Sequence, residues 1–117
     1  MPNVVTADIQ AGIERHIEAQ TRAGHGYFNL LFEPQQLRLK LVRVHTEYLA
    51  NLGPRRHFAC VDLVGTDGEV YDVDFFLAGD PGAITVTETT VHKINGQPRY
   101  TWEQKQDHTW HRVPVEK

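Results

Sequence analysis

The segment that most restricts the fold is Thr66-Asp67-Gly68-Glu69, set between two runs in which apolar residues alternate with others. Asp-Gly in that setting signals a β-hairpin, because the two-residue turn that matches strand twist needs positive φ at both central positions. Centring the pairing on Asp67-Gly68 sets Val64 opposite Tyr71, Asp62 opposite Val73, Cys60 opposite Phe75 and Phe58 opposite Leu77. One face of this hairpin is then apolar with a single intruder, Asp62. The other face, with Val70, Asp72 and Asp74, reads as the wetter side.

The same period of two runs through most of the chain, but not through its start. Residues Ile9, Ile13 and Ile17 recur every four positions, an apolar stripe on a helix that Thr6 caps, Asp8 suits electrostatically and Gly24 ends. The stripe is narrow, so the helix lies on one surface, and Gly12 beside it allows close approach to another element. Strands are expected at about 27–32 and 37–48, joined by a turn at Glu33-Pro34-Gln35-Gln36, with Phe28, Leu30, Phe32, Leu37, Leu39 and Leu41 on one face. The hairpin strands span about 57–66 and 69–77, and a threonine-rich strand covers about 83–94. Asn95-Gly96 marks a second tight turn, leading to Arg99-Tyr100-Thr101-Trp102-Glu103, and the tail with Trp110 and Val113 adds an edge strand. The expected fold is α+β: one domain over residues 1–117, with an N-terminal helix packed on an antiparallel meander of about six strands.

Composition narrows the functional classes. The formal charge of -3, from 12 Lys and Arg against 15 Asp and Glu, does not supply the basic surface expected of a nucleic-acid binder. Neither a membrane span nor a basic amphipathic stretch is present, so no membrane partner is expected. Cys60 is the one cysteine, which excludes an internal disulfide, and its apolar strand reads as burial of a small hydrophobe. The compartment is cytoplasmic if Met1 is the native start and exported if the chain has been trimmed. No phosphate loop, nucleophile elbow or His-Glu-x-x-His helix occurs, and no cofactor is expected.

A helix followed by successive hairpins with one apolar face resembles the cystatin-like and NTF2-like α+β folds. The runs Leu39-Lys40-Leu41-Val42-Arg43-Val44-His45, Tyr71-Asp72-Val73-Asp74-Phe75-Phe76 and Thr90-Val91-His92-Lys93-Ile94-Asn95-Gly96-Gln97-Pro98-Arg99-Tyr100-Thr101-Trp102 also resemble a small bacterial family to which no activity attaches. The Gln-x-Val-x-Gly hairpin of protease-inhibiting cystatins is absent. The NTF2-like resemblance implies an Asp with a His or Tyr inside a conical pocket.

Extending the register across the sheet places Arg43 or Leu41 roughly level with Asp62, giving a belt of Arg43, Asp62, Val73 and Glu88, with His45 one step away beside Cys60. The helix stripe has about 12 residues of useful length, roughly 18 Å, so a polar-lined hollow is expected at its uncovered end. Three readings follow. Arg43 with Asp62 and Glu88 forms a structural ion-pair belt, since a buried carboxylate requires a partner. Alternatively Arg43, His45, Asp62 and Glu88 line a pocket for a small polar or anionic molecule. In the third, Asp62 is a general base assisted by His45, although Arg43 would hold its pKa down. His45, Asp62 and Glu88 are acceptable metal-ligand types, but no metal site is expected; His108 and His111 fall on opposite strand faces, and His25 reads as a loop residue. The functional expectation is a small binding or accessory domain without catalytic activity. Its alternatives are an NTF2-like pocket protein and an interaction module using the sheet face. A small polar ligand, and a second copy docked through the Thr85-Thr87-Thr89 row and the Tyr100-Trp102 pair, are the partners this pattern suggests.

Overall fold

The structure, a computed structural model, describes residues 5–32, 34–108 and 110–115. Glu33 of the expected first turn lies outside them. A single helix, α1 (Thr6–Ala23), is followed by strands β1 (Phe28–Phe32), β2 (Gln35–Val44), β3 (Ala50–Gly53), β4 (Arg56–Gly65), β5 (Val70–Ala78), β6 (Thr85–Ile94), β7 (Gln97–Pro98), β8 (Tyr100–Gln104) and β9 (Trp110–Pro114). The main sheet is an antiparallel, curled meander in the order β1-β2-β4-β5-β6-β7, with β3 also pairing β4, while β8 and β9 form a separate two-stranded ribbon. The fold is therefore α+β, one helix on an antiparallel sheet. The expected strand 37–48 is cut short by a single 3-10 turn, Thr46–Tyr48.

Residues Ile9, Ile13 and Ile17 bury against the sheet as their spacing predicts, each contributing about 1.5–3 kcal/mol by leaving water. Val5, one residue before the predicted cap, starts α1, and its N–H donates to Asp8 Oδ2 at 3.0 Å. Gly12 is what lets the helix come so close: a Cβ there would meet the Ile84 side chain at 3.2 Å. Beneath the helix lie Phe28, Leu39, Val61, Leu63, Val73 and Phe75, with His16 edge-on to Phe28 and Phe75. Burial there holds the His16 ring below its ordinary pKa. Leu41, expected on the core face, is 44% exposed, because the chain bulges between Leu41 and Arg43 beyond the reach of α1.

The Asp67-Gly68 hairpin differs from expectation by one residue. Its loop is Thr66-Asp67-Gly68, with the Gly65 N–H donating to Glu69 O at 2.9 Å. Gly68 has φ 83°, but Asp67 is not left-handed, so the two-residue turn does not form. Asp67 instead accepts the Glu69 N–H at 2.9 Å and the Tyr71 hydroxyl at 2.7 Å, the local bonding by which Asp favours its own turns. The register becomes Val64↔Val70, Asp62↔Asp72, Cys60↔Asp74 and Phe58↔Phe76. A slip of one residue sends every side chain of a strand to the other face. His57, Ala59, Val61 and Leu63 of β4 thus point to the helix, opposite the expected set, while Tyr71, Val73, Phe75 and Leu77 of β5 bury as expected. Asp62 is consequently not an intruder in the core. The second turn forms as read, with Asn95 at φ 51° and Gly96 at φ 82°.

Candidate functional site

With β4 turned over, the sheet face away from the helix carries three cross-strand rows. Asp62 and Asp72 stand opposite one another, with Lys93 beyond them; Cys60 faces Asp74, then Thr90; Phe58 faces Phe76, then Glu88. Two further groups arrive from the end of β2. Arg43 pairs with Asp62, and the His45 N–H donates to Cys60 O at 2.9 Å.

The β8–β9 ribbon covers the apolar end of this face. Trp102 packs edge-on to Phe58, Phe76 and Tyr100, with centroids 6.4, 5.9 and 5.9 Å apart, and the Arg112 guanidinium lies over Phe76 and Trp102. The Tyr100–Trp102 pair, read from the sequence as a satellite core with an exposed patch as the alternative, is an internal contact. The threonine row is broken by bulges in the β5–β6 pairing, and the Thr87 hydroxyl donates to Phe76 O at 3.1 Å.

Under the ribbon's edge, Asp74 is wholly buried. The Tyr100 hydroxyl donates to its Oδ2 at 2.7 Å, and His92 Nδ1 lies 3.4 Å from the same oxygen. His92 stacks on Tyr100 at 4.5 Å and donates through Nε2 to the Tyr100 carbonyl at 3.0 Å. Burial, then the bond to Asp74, pushes the Tyr100 hydroxyl up. The other oxygen, Asp74 Oδ1, is buried without a hydrogen-bond partner among the described residues.

The uncovered row is the candidate site. His45 Nε2 lies 2.8 Å from Asp62 Oδ1. The two atoms are not aligned for a hydrogen bond, and neither finds another partner among the described residues, so the contact is one of charge. His45 Nδ1 meets Glu47 Oε1 at 2.9 Å. Because a carboxylate only accepts, that nitrogen carries the proton. Glu47 also receives Arg43 Nη2 on both oxygens, at 2.8 Å each. Lys93 Nζ stands 3.9 Å from Asp72 Oδ2.

Directly opposed carboxylates repel, and such a pair lowers its energy by sharing a proton. Burial, reinforced by Asp62, pushes the Asp72 carboxyl up to about 6. Burial works the same way on Asp62, but the adjacent Asp72 and His45 outweigh it and hold that carboxyl below its ordinary value. Burial alone would lower His45; the adjacent Asp62 and Glu47 carboxylates raise it instead. The Cys60 thiol is driven far up by burial and then by Asp74 and Asp72.

Of the four residues predicted for a site, Arg43, His45 and Asp62 come together, on the face opposite to the one expected. Glu88 does not join them. The β5–β6 connection pairs Leu77 with Val86 and not with Ile84, and one bulge between Leu77 and Phe76 adds a further step, so the partner of Glu88 is Phe76 and not Val73; its side chain pairs with Arg112 at 2.8 Å. The expected belt of Arg43 with Asp62 and Glu88 is thus replaced by Arg43–Glu47, His45–Asp62 and Glu88–Arg112. Asp72, Asp74, Lys93 and His92 were not foreseen as members; the visible signal was Asp72 and Asp74 alternating on a single strand face. His57, also unforeseen, is a buried latch on the helix side. Its Nε2 donates to the Gly79 carbonyl at 2.9 Å, and Nδ1 meets the Asn51 amide group at 2.6 Å. Comparison with protein-family models, with curated proteins and with solved structures gave no match, so the geometry of this face carries the functional argument.

Proposed function

We propose that this is a small binding domain whose ligand surface is the uncovered row His45–Asp62–Asp72–Lys93 on the outer face of the sheet. The observation that carries the reading is the meeting of His45 Nε2 and Asp62 Oδ1 at 2.8 Å, two buried atoms without hydrogen-bond alignment on side chains that are themselves part-exposed. Packing does not require polar atoms there, and three strands converge to supply them.

One N-terminal helix on a curled meander is the layout of cystatin-like and NTF2-like folds, and that likeness supports a binding role. An NTF2-like pocket would need room between helix and sheet. Ile9, Ile13, Ile17, Phe28 and Phe75 fill that space, which favours the outer face. The ligand class is polar and cationic in preference to anionic. Arg43 already serves Glu47, whereas two part-buried carboxylates, Asp62 and Asp72, stand side by side. One observation favours acid–base chemistry as a second reading: Asp72, near 6 beside His45, suits a proton donor better than Asp62 suits a base. Asp62, held below its ordinary value by Asp72 and His45, is too weak a base to complete that chemistry, which makes binding the stronger reading.

Amide NMR titration with small amines and guanidines, set against phosphate and carboxylates, tests the proposal. Cations should shift residues 43–47, 60–62, 72–74 and Lys93. Shifts confined to the helix–sheet seam, stronger response to anions, or no response to any probe would overturn it.

A further inference from the structure

We propose that the ligand of this face is a borderline-soft divalent transition-metal ion, held by His45, Cys60 and Asp72 with Asp62 as an adjoining carboxylate. The inference rests on the outer-face reading above and gives it a chemical class.

The first ground is convergence. A ring nitrogen of His45, the Cys60 sulfur and a carboxylate oxygen of Asp72 all lie within 4.8 Å of one another. Around a tetrahedral zinc-type ion with bonds of about 2.0–2.3 Å, donors sit about 3.5 Å apart, so side-chain rotations on the order of 1 Å close the set. Nitrogen, sulfur and carboxylate oxygen together select zinc, cobalt and their neighbours over calcium or magnesium, which take oxygen alone.

The second ground is the tautomer of His45. Its Nδ1–H donates to Glu47, and Arg43 in turn holds Glu47. This is the carboxylate–imidazole arrangement that orients metal-binding histidines and leaves Nε2 as the ligand atom. Nε2 faces Asp62 Oδ1 at 2.8 Å, the place of the second imidazolium proton, and a metal ion that displaces that proton takes Nε2 as its ligand atom with Asp62 alongside. The third ground is Asp74. Opposite Cys60 on the same face, it is wholly buried and its Oδ1 has no partner among the described residues. Its negative charge beside the sulfur is compensated when a dication binds there.

Cobalt and zinc titrations of the full chain test this. One equivalent of Co2+ should produce a thiolate-to-cobalt charge-transfer band in the near ultraviolet, and zinc should displace it. Cys60→Ser should abolish the band, and His45→Ala and Asp72→Asn should each weaken binding at least tenfold. Glu88→Gln, remote from the cluster, should leave affinity unchanged. Because substitution of a buried cysteine can impair folding, cadmium NMR on the unaltered chain provides an independent reading, with a shift diagnostic of one sulfur ligand expected. An absent cobalt band, a band that persists in folded Cys60→Ser, or an all-oxygen cadmium shift would overturn the metal assignment. If organic cations still shift residues 60–62 and 72–74 in that case, the outer-face reading survives alone; if they do not, both fall.

Discussion

On the helix side of the sheet, Val61, Leu63, Val73 and Phe75 bury completely against three isoleucines. On the reverse, one strand position away, Asp62, Asp72, Asp74 and Cys60 occupy the same two strands. The inner side answers to volume: its residues are interchangeable with others of similar shape. The outer side answers to charge, and its polar atoms are satisfied incompletely. A strand whose two faces differ in this way separates the part of a sequence that specifies the fold from the part that is free to specify a ligand.

The comparison yields three measurements, in decreasing size. Phe75→Ala, at the centre of the inner face, should cost about 3–5 kcal/mol, read as a lowered midpoint in chemical denaturation; a loss below about 1 kcal/mol would mean that this core is not what holds the sheet. Tyr100→Phe, on the outer side, removes the hydroxyl that donates to Asp74 at 2.7 Å and should cost about 1–3 kcal/mol. A neutral result would place Asp74 in contact with water and blur the contrast between the faces.

The smallest effect carries a sign. With its carboxyl raised to about 6, Asp72 contributes stability that is full below about pH 4, the ordinary carboxylate value, and is lost as pH rises through 6. His45, also raised, acts in the same direction. Asp72→Asn should therefore stabilise the protein at pH 8 by on the order of 1 kcal/mol and change little near pH 4. Thermal melts at the two pH values check this, and destabilisation at pH 8 would mean that the Lys93 contact outweighs the repulsion from Asp62.

The turns explain how far the sequence could be read. Helix, meander and the Asn95-Gly96 turn follow from periodicity and glycine placement, and all form. Asp67-Gly68 carries an equally strong signal, yet the Asp67 carboxylate bonds Glu69 and Tyr71 and lengthens the loop by one residue. Local pattern does not report that competition, because the winning partner lies four residues on. From this step Asp62 changes face to join Asp72, while Arg43 reaches the same face through the bulge that follows Leu41 in β2. Glu88 falls elsewhere for a related reason: the loop after β5 sets Leu77 opposite Val86, two residues on from the expected Ile84, and a bulge adds one more, and neither leaves a mark in an alternating sequence. Of Arg43 and Leu41, the two residues expected level with Asp62, Arg43 pairs with it, and does so through a bulge after Leu41 that the alternation does not show.

The β8–β9 ribbon has a kinetic consequence. Every pairing in the main sheet joins strands close in sequence, the kind of local contact that forms early. The ribbon instead rests on β4 and β5, reached only after the chain has passed through β6 and the Asn95-Gly96 turn. Asp74 can thus remain hydrated until Tyr100 arrives to seal it, and the cost of drying a carboxylate falls in the last step of assembly, after the hydrophobic core has closed. The carboxylate acts as a lock on the order of events: the ribbon cannot dock with its tyrosine out of place without leaving a dehydrated charge unanswered.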